Sequence, residues 1–167
     1  PMHPTVLPVL VRLFSRFGQN ERSLFGFLLS NEPFGLQSFA ERSVTSGEYY
    51  RLYNLYEYIK CNFGHRLSVQ GYRSHWNQID TMIESFSTER ELELNILKVV
   101  GILNLLNGND LLATEETIAL AIAGTNSSDL FTKKMSVTLE TLQKDKRVLY
   151  RRGAAGGFCL WPHTSVD

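Results

Sequence analysis

Up to about residue 145 the apolar residues of this chain recur at helical spacing, and beyond it they alternate. A period of 3.6 places one stripe on a helix, and a period near 2 places one face on a strand. Arg147–Arg152 and Phe158–Trp161 therefore read as two short strands, with GAAGG between them as the glycine-rich tip of a β-hairpin. A lone hairpin is barely stable in water, so this one must pack on the helices before it. That confines the chain to a mainly α architecture with a small C-terminal β-hairpin.

The helical part divides at its breakers. Leu7, Leu10, Val11, Phe14 and Phe17 follow Pro4 and Pro8 at steps of three and four, which predicts a first helix. Gly18 ends it and Asn20 can cap the next, ERSLFGFLLS, with Leu24, Phe25, Phe27 and Leu28. Asn31 to Gly35 is a turn, Leu36–Arg42 a short helix, and Ser43–Glu48 a polar loop. In Tyr49–Phe63 the stripe is Leu52, Leu55, Tyr56, Ile59 and Phe63, with Tyr50, Tyr53 and Tyr58 around it. Such tyrosines could stack on bases. With only Arg51 and Lys60 interleaved, packed rings with wet hydroxyls are the expectation. Gly64–Gly71 is a loop, and Tyr72–Phe86 is a helix with Trp76, Ile79, Met82, Ile83 and Phe86 on one side.

Ser87 and Thr88 look like a fresh cap, so a boundary is expected there, between a helical bundle over 1–87 and a second unit over 88–167. The second unit opens with an apolar helix through LNILKVVGILNLLN. Leu111–Ala113 forms a very short strand, Thr114 caps a short helix, and a third helix runs from Ser128 to Lys144. Phe131, Met135, Leu139 and Leu142 share one face of that helix. Helix, strand, helix, helix, hairpin is the order of a winged helix.

The 167 residues carry 17 Lys plus Arg against 17 Asp plus Glu, and 43% are hydrophobic. This excludes a charged disordered tail and supplies enough apolar side chains for a core. No window holds ~18 uncharged apolar residues, so no membrane span is expected and the chain is placed in the cytoplasm. Cys61 and Cys159 lack metal-ligand spacing and are expected to be buried free thiols. His3, His65, His75 and His163 are scattered, which gives no metal site. There is no nucleophile elbow, and GAAGG lies between strands without a following Lys-Ser or Lys-Thr, so it is no phosphate loop. The chain is expected to be non-catalytic and to hold no cofactor of its own.

Charge is local. Between Leu130 and Arg152 stand seven bases, Lys133, Lys134, Lys144, Lys146, Arg147, Arg151 and Arg152, opposed by Glu140 and Asp145 alone. In winged helices that bind DNA the third helix enters the major groove and the wing touches backbone. Lys133, Lys134, Arg147, Arg151 and Arg152 would then contact phosphates, with Ser127, Ser128 and Thr132 near base edges. A chain with no net charge is an unusual DNA reader, so a hairpin packing on a protein partner is the favoured expectation.

Two stretches carry a family likeness. One is FGQNERSLFGFLLSNEPFGLQSF at Phe17–Phe39, in which Gln19 to Phe25 is the most specific string. The other combines LKVVGILNLL at Leu97–Leu106, ATEETIALAI at Ala113–Ile122 and VLYRRGAAGGFCLWPHTSVD at Val148–Asp167. Together they resemble the lid-plus-winged-helix region of a family of large bacterial P-loop ATPases of AAA/STAND-like type. After Trp161 the chain departs from that pattern, because Pro162 to Asp167 lacks the family's run of acidic residues. The resemblance implies a fragment of a longer protein whose upstream module binds ATP. It implies that Arg22 faces the nucleotide or an interdomain surface, although Glu21 and Arg22 also suit a helix cap with a surface ion pair. It makes the upstream ATPase module the first partner, with double-stranded DNA the next. A free-standing DNA-binding winged helix is the alternative, and self-association through the tyrosine-rich helix a third.

Overall fold

The computed structural model describes residues 1–16, 27, 29, 31–42, 48–63, 73–86, 89–106, 111–123, 128–153 and 157–161. The chain is mainly helical, with one two-stranded antiparallel sheet near its C-terminus. In order come α1 (Val6–Arg16), α2 (Leu36–Arg42), α3 (Leu52–Tyr58) with a π-helical turn Ile59–Phe63, and α4 (Arg73–Ser85). There follow α5 (Glu91–Leu106), α6 (Glu115–Ala123), α7 (Asp129–Glu140) with a π-helical turn Thr141–Asp145, β1 (Leu149–Arg151) and β2 (Phe158–Leu160).

Helix α5 is the spine. Ile96, Leu97, Val99, Val100, Ile102, Leu103, Leu105 and Leu106 are all buried, so its apolar residues are covered on more than one side. It can be so because α1, α3, α4, α6 and β2 all pack on it. One hydrophobic core therefore runs from Val6 to Leu160 and crosses the expected boundary at residue 87. At Gly101 α4 packs close to the spine: a Cβ there would lie 2.8 Å from Ile79 Cγ2.

Helix α1 buries Val6, Val9, Leu10, Leu13 and Phe14 and leaves Leu7 and Val11 exposed. The expected stripe is thus rotated, because apolar residues at steps of three and four run down both sides of this helix. The turn before Leu36 and the helix after it match expectation, and Phe34 sits there at φ +61°. Of ERSLFGFLLS, Phe27 is buried and Leu29 exposed, and the rest lies outside the described residues. The expected loops at 43–47 and 64–71 also lie outside them.

The tyrosine hydroxyls correct a second expectation. Tyr50, Tyr56 and Tyr58 are buried whole, and their hydroxyls are satisfied inside the chain. Tyr50 donates to the Phe34 carbonyl at 2.7 Å, Tyr56 to Asp80 Oδ1 at 2.8 Å, and Tyr58 to Glu32 Oε2. Burial pushes the Tyr50 and Tyr56 hydroxyls far above their ordinary range, with the Asp80 charge adding to Tyr56. Those three rings lie inside the core and are not available to stack on bases, while Tyr49 is exposed and Tyr53 half-buried. Arg51, just before α3, donates to the Ala121 carbonyl at 3.2 Å near the C-terminus of α6, where the helix dipole favours a cation.

The cysteines correct a third. Cys61 is exposed and Cys159 half-buried, and both are free. Cys61 lies in the π-helical turn, off the apolar stripe, and Cys159 faces Tyr150 across the hairpin.

Three separate ties hold the hairpin to the helices. The Asn104 side chain of α5 bonds the edge of β2 twice, donating to the Phe158 carbonyl at 3.1 Å and accepting from the Leu160 amide at 2.9 Å. The Phe158 amide donates to the Ala113 carbonyl at 2.8 Å. That single bond is what the expected strand Leu111–Ala113 amounts to, for these residues join no strand ladder. Gly157 permits the approach: its φ is +77°, and a Cβ would meet the Ala113 backbone at 3.0 Å. The third tie is electrostatic. Glu93 in the first turn of α5 is fully buried, and Lys146 Nζ lies 2.6 Å from its Oε2.

Candidate partner-binding surface

Helix α7 begins at Ser128, whose hydroxyl accepts the Phe131 amide at 3.1 Å. Its inward face is Met135, Thr138 and Leu139, followed by Leu142, with Phe131 half-buried beside them. After the π-helical turn, Arg147 adopts φ +55°, and the Val148 amide turns back to the Leu142 carbonyl at 2.9 Å. Glycine commonly takes that left-handed place at a helix end. The hairpin then pairs Leu149 with Leu160, Tyr150 with Cys159 and Arg151 with Phe158.

The seven cations separate into two groups. Lys146 is held by buried Glu93 and also lies over the Phe86 ring at 5.2 Å. Lys144 pairs with Glu140 at 2.9 Å one turn back, which raises its pKa through that hydrogen bond and charge. Lys133, Lys134, Arg147, Arg151 and Arg152 are exposed. The Arg151 guanidinium lies 5.0 Å from the Phe158 ring centroid, so stacking holds it on the hairpin. These five exposed cations are the ones the sequence offers to a partner.

Of the residues expected near base edges, Ser128 and Thr132 are exposed at the start of α7. The Ser128 hydroxyl caps α7, and Thr132 Oγ1 donates to the Ser128 carbonyl at 3.2 Å. Ser127 and Arg22 lie outside the described residues.

Sequence reasoning did not anticipate the outward stripe of α7. Leu130, Lys133, Lys134 and Val137 stand at steps of three, one and three and so share one face. Leu130 is 78% exposed and Val137 63%. This face borders a groove of about 970 Å³ against the first turn of α5, whose side of it includes Arg90, Glu91 and Leu92. The signal was present as apolar residues off the buried period, but the basic residues between them masked it.

A smaller cleft, about 220 Å³, lies between α4 and the hairpin, among His75, Gln78, Tyr150, Arg152, Cys159 and Trp161. Tyr150 and Trp161 meet edge to face at 4.9 Å. Partial burial first, then Cys159, raises the Tyr150 pKa. Among the described residues, no group of three His, Cys, Asp or Glu could hold a metal ion, and no helix is long and apolar enough to cross a membrane. No protein-family profile, curated protein or solved structure matches this chain.

Proposed function

We propose that this chain is a non-catalytic interaction module with a winged helix in its C-terminal half. As the resemblance to P-loop ATPases implies, it would work beside an ATP-binding module and relay nucleotide state to a partner by rigid-body movement. The winged-helix reading draws support from the order of α5, the Leu111–Ala113 segment, α6, α7 and the hairpin. The bond from Phe158 to Ala113 supports it further, since it lays that segment beside β2.

The partner surface is protein-facing, and one observation carries this. The helix that would read the major groove presents Leu130 and Val137 to solvent on either side of its two lysines. Aliphatic side chains two turns apart suit a protein surface better than a polyanion.

A second reading, a DNA-binding winged helix, rests on Arg147, Arg151 and Arg152, which stand exposed at the hairpin. An anisotropy titration with short duplex DNA at two salt concentrations separates the two. The protein-facing reading expects little binding even at low salt. Tight binding whose log affinity falls with log salt, and which Arg151→Ala with Arg152→Ala weakens, would replace it with the DNA reading. The relay expects a Walker motif upstream in the same reading frame.

A further inference from the structure

We infer that the groove between α7 and the first turn of α5 receives an acidic amphipathic helix from a protein partner. This inference rests on the protein-facing reading and adds the chemistry of the partner.

The exposed stripe is not a by-product of helix formation. Valine is a poorer helix former than the lysine, glutamate or alanine that an exposed position normally favours. Helix α7 already buries its other side through Met135, Leu139 and the following Leu142. Leu130 is also the most exposed large apolar side chain among the described residues. It stands about 10 Å along the axis from Val137, at 1.5 Å per residue. That spacing matches side chains at i and i+7 of a docked helix. Leu92, half-buried in α5, supplies an apolar wall opposite.

The rim has a sign. Lys133, Lys134 and Arg90 border the groove, and Glu91 is the exposed carboxylate among them. Glu93, also at the groove, is buried, with Lys146 at 2.6 Å from one oxygen and Arg90 at 3.7 Å from the other, so four cations there face two carboxylates. The excess is cationic, so the partner's flanks carry Asp or Glu. The same excess argues against a second copy of this chain. Two α7 faces related by a twofold axis would bring Lys133 and Lys134 against their own counterparts.

The test uses two synthetic helical peptides on the intact chain. Both carry leucine at i, i+3 and i+7, and the flanking residues are glutamate in one and lysine in the other. The glutamate peptide is expected to bind and the lysine peptide not to. Leu130→Ser with Val137→Ser removes mostly solvent-facing atoms, an unchanged unfolding midpoint checks that the fold is kept, and the glutamate peptide should bind about tenfold more weakly. Lys133→Glu with Lys134→Glu should reverse the preference to the lysine peptide. Arg151→Ala with Arg152→Ala should leave the affinity unchanged.

Equal binding of the two peptides, or affinity indifferent to the serine variant, overturns the inference. So does a concentration-dependent dimer that the serine variant disperses, which would give the face to a second copy. Failure of the glutamate peptide to bind overturns the acidic-helix partner, while the DNA titration independently decides the protein-facing reading.

Discussion

Lys146 Nζ lies 2.6 Å from Oε2 of Glu93, a carboxylate with no exposed surface. One residue ends the helix before the hairpin and the other opens the spine helix. The pair therefore sets where the hairpin leaves the helical body. Arg90, 3.7 Å from Glu93 Oε1, adds a second cation from the solvent side. Removing Lys146 takes the nearer of the two cations from a buried carboxylate. Lys146→Ala should cost about 2–3 kcal/mol, less than for a fully enclosed pair because part of the lysine reaches water. Glu93→Met with Lys146→Met should recover much of that loss, since the paired apolar replacement leaves no buried charge. Urea unfolding of both variants measures it, and a double variant no better than Lys146→Ala would refute the ion-pair account.

Two glycines at the hairpin tip have the same backbone hand and different surroundings. Gly153 has φ +70° and, among the described residues beyond its chain neighbours, no atom within 4 Å of a would-be Cβ. Gly157 has φ +77° and the Ala113 backbone at 3.0 Å. Gly153→Ala should therefore cost only the left-handed backbone, about 1–2 kcal/mol. Gly157→Ala adds a backbone collision and should cost roughly 2–4 kcal/mol. Asparagine tolerates the left-handed region, so it should nearly restore position 153 and fail at 157. Thermal unfolding of the four variants checks this, and equal losses at the two positions would remove the close approach as the cause.

Much of the fold was legible because single apolar stripes are unambiguous. Trp76, Ile79, Met82 and Ile83 have polar neighbours on every other side, so the buried face of α4 could be read directly. Helix α1 could not, because Leu7 and Val11 satisfy the same spacing as the buried Leu10 and Phe14. Asn104 is a polar residue inside LNLL, and nothing local reveals its bonds to Phe158 and Leu160, more than fifty residues later. Glu93 is locally an acid in the first turn of a helix, and Lys146 one member of a basic cluster. Their pairing spans 53 residues and belongs to the tertiary structure alone. Of the candidate surface, the exposed cations were readable from composition, but the apolar stripe between them needed the helix to be oriented.

Gly101 tests how tightly α4 lies on the spine. Its missing Cβ would stand 2.8 Å from Ile79 Cγ2 and 3.4 Å from Ile83 Cδ1, both buried and unable to swing into solvent. In an isolated helix alanine would be the better residue by about 1 kcal/mol. Here packing should win, and Gly101→Ala should destabilise by about 1–3 kcal/mol. Adding Ile79→Val does not remove Cγ2, so it should rescue little. Gly101→Ala with Ile79→Ala should recover part of the loss relative to Ile79→Ala alone. Denaturant midpoints decide, and a stabilised Gly101→Ala would mean that α4 sits farther from the spine.

His3 gives the chain a dependence on mild acid. It is buried, and its ring meets Tyr49 edge-on at 5.8 Å. Its Nδ1 lies 2.8 Å from Thr5 Oγ1 and 3.4 Å from the Thr5 amide that donates to it. The backbone of His3 is also fixed, since its amide donates to the Tyr50 carbonyl at 2.8 Å. Burial first, and the Arg51 charge second, hold its pKa below the ordinary 6.5. The folded chain therefore prefers the neutral ring, while the unfolded chain takes up a proton at the ordinary value. Above about pH 6.5 both states are neutral and the contribution is fully present. As pH falls below that value only the unfolded state gains the proton, and stability is lost until the folded-state pKa is reached. His3→Asn keeps a polar atom for the Thr5 amide and cannot titrate. The unfolding midpoint of the wild-type chain should fall more than that of the variant between about pH 7 and pH 5. Parallel slopes for the two proteins would show that the acid sensitivity comes from carboxylates instead.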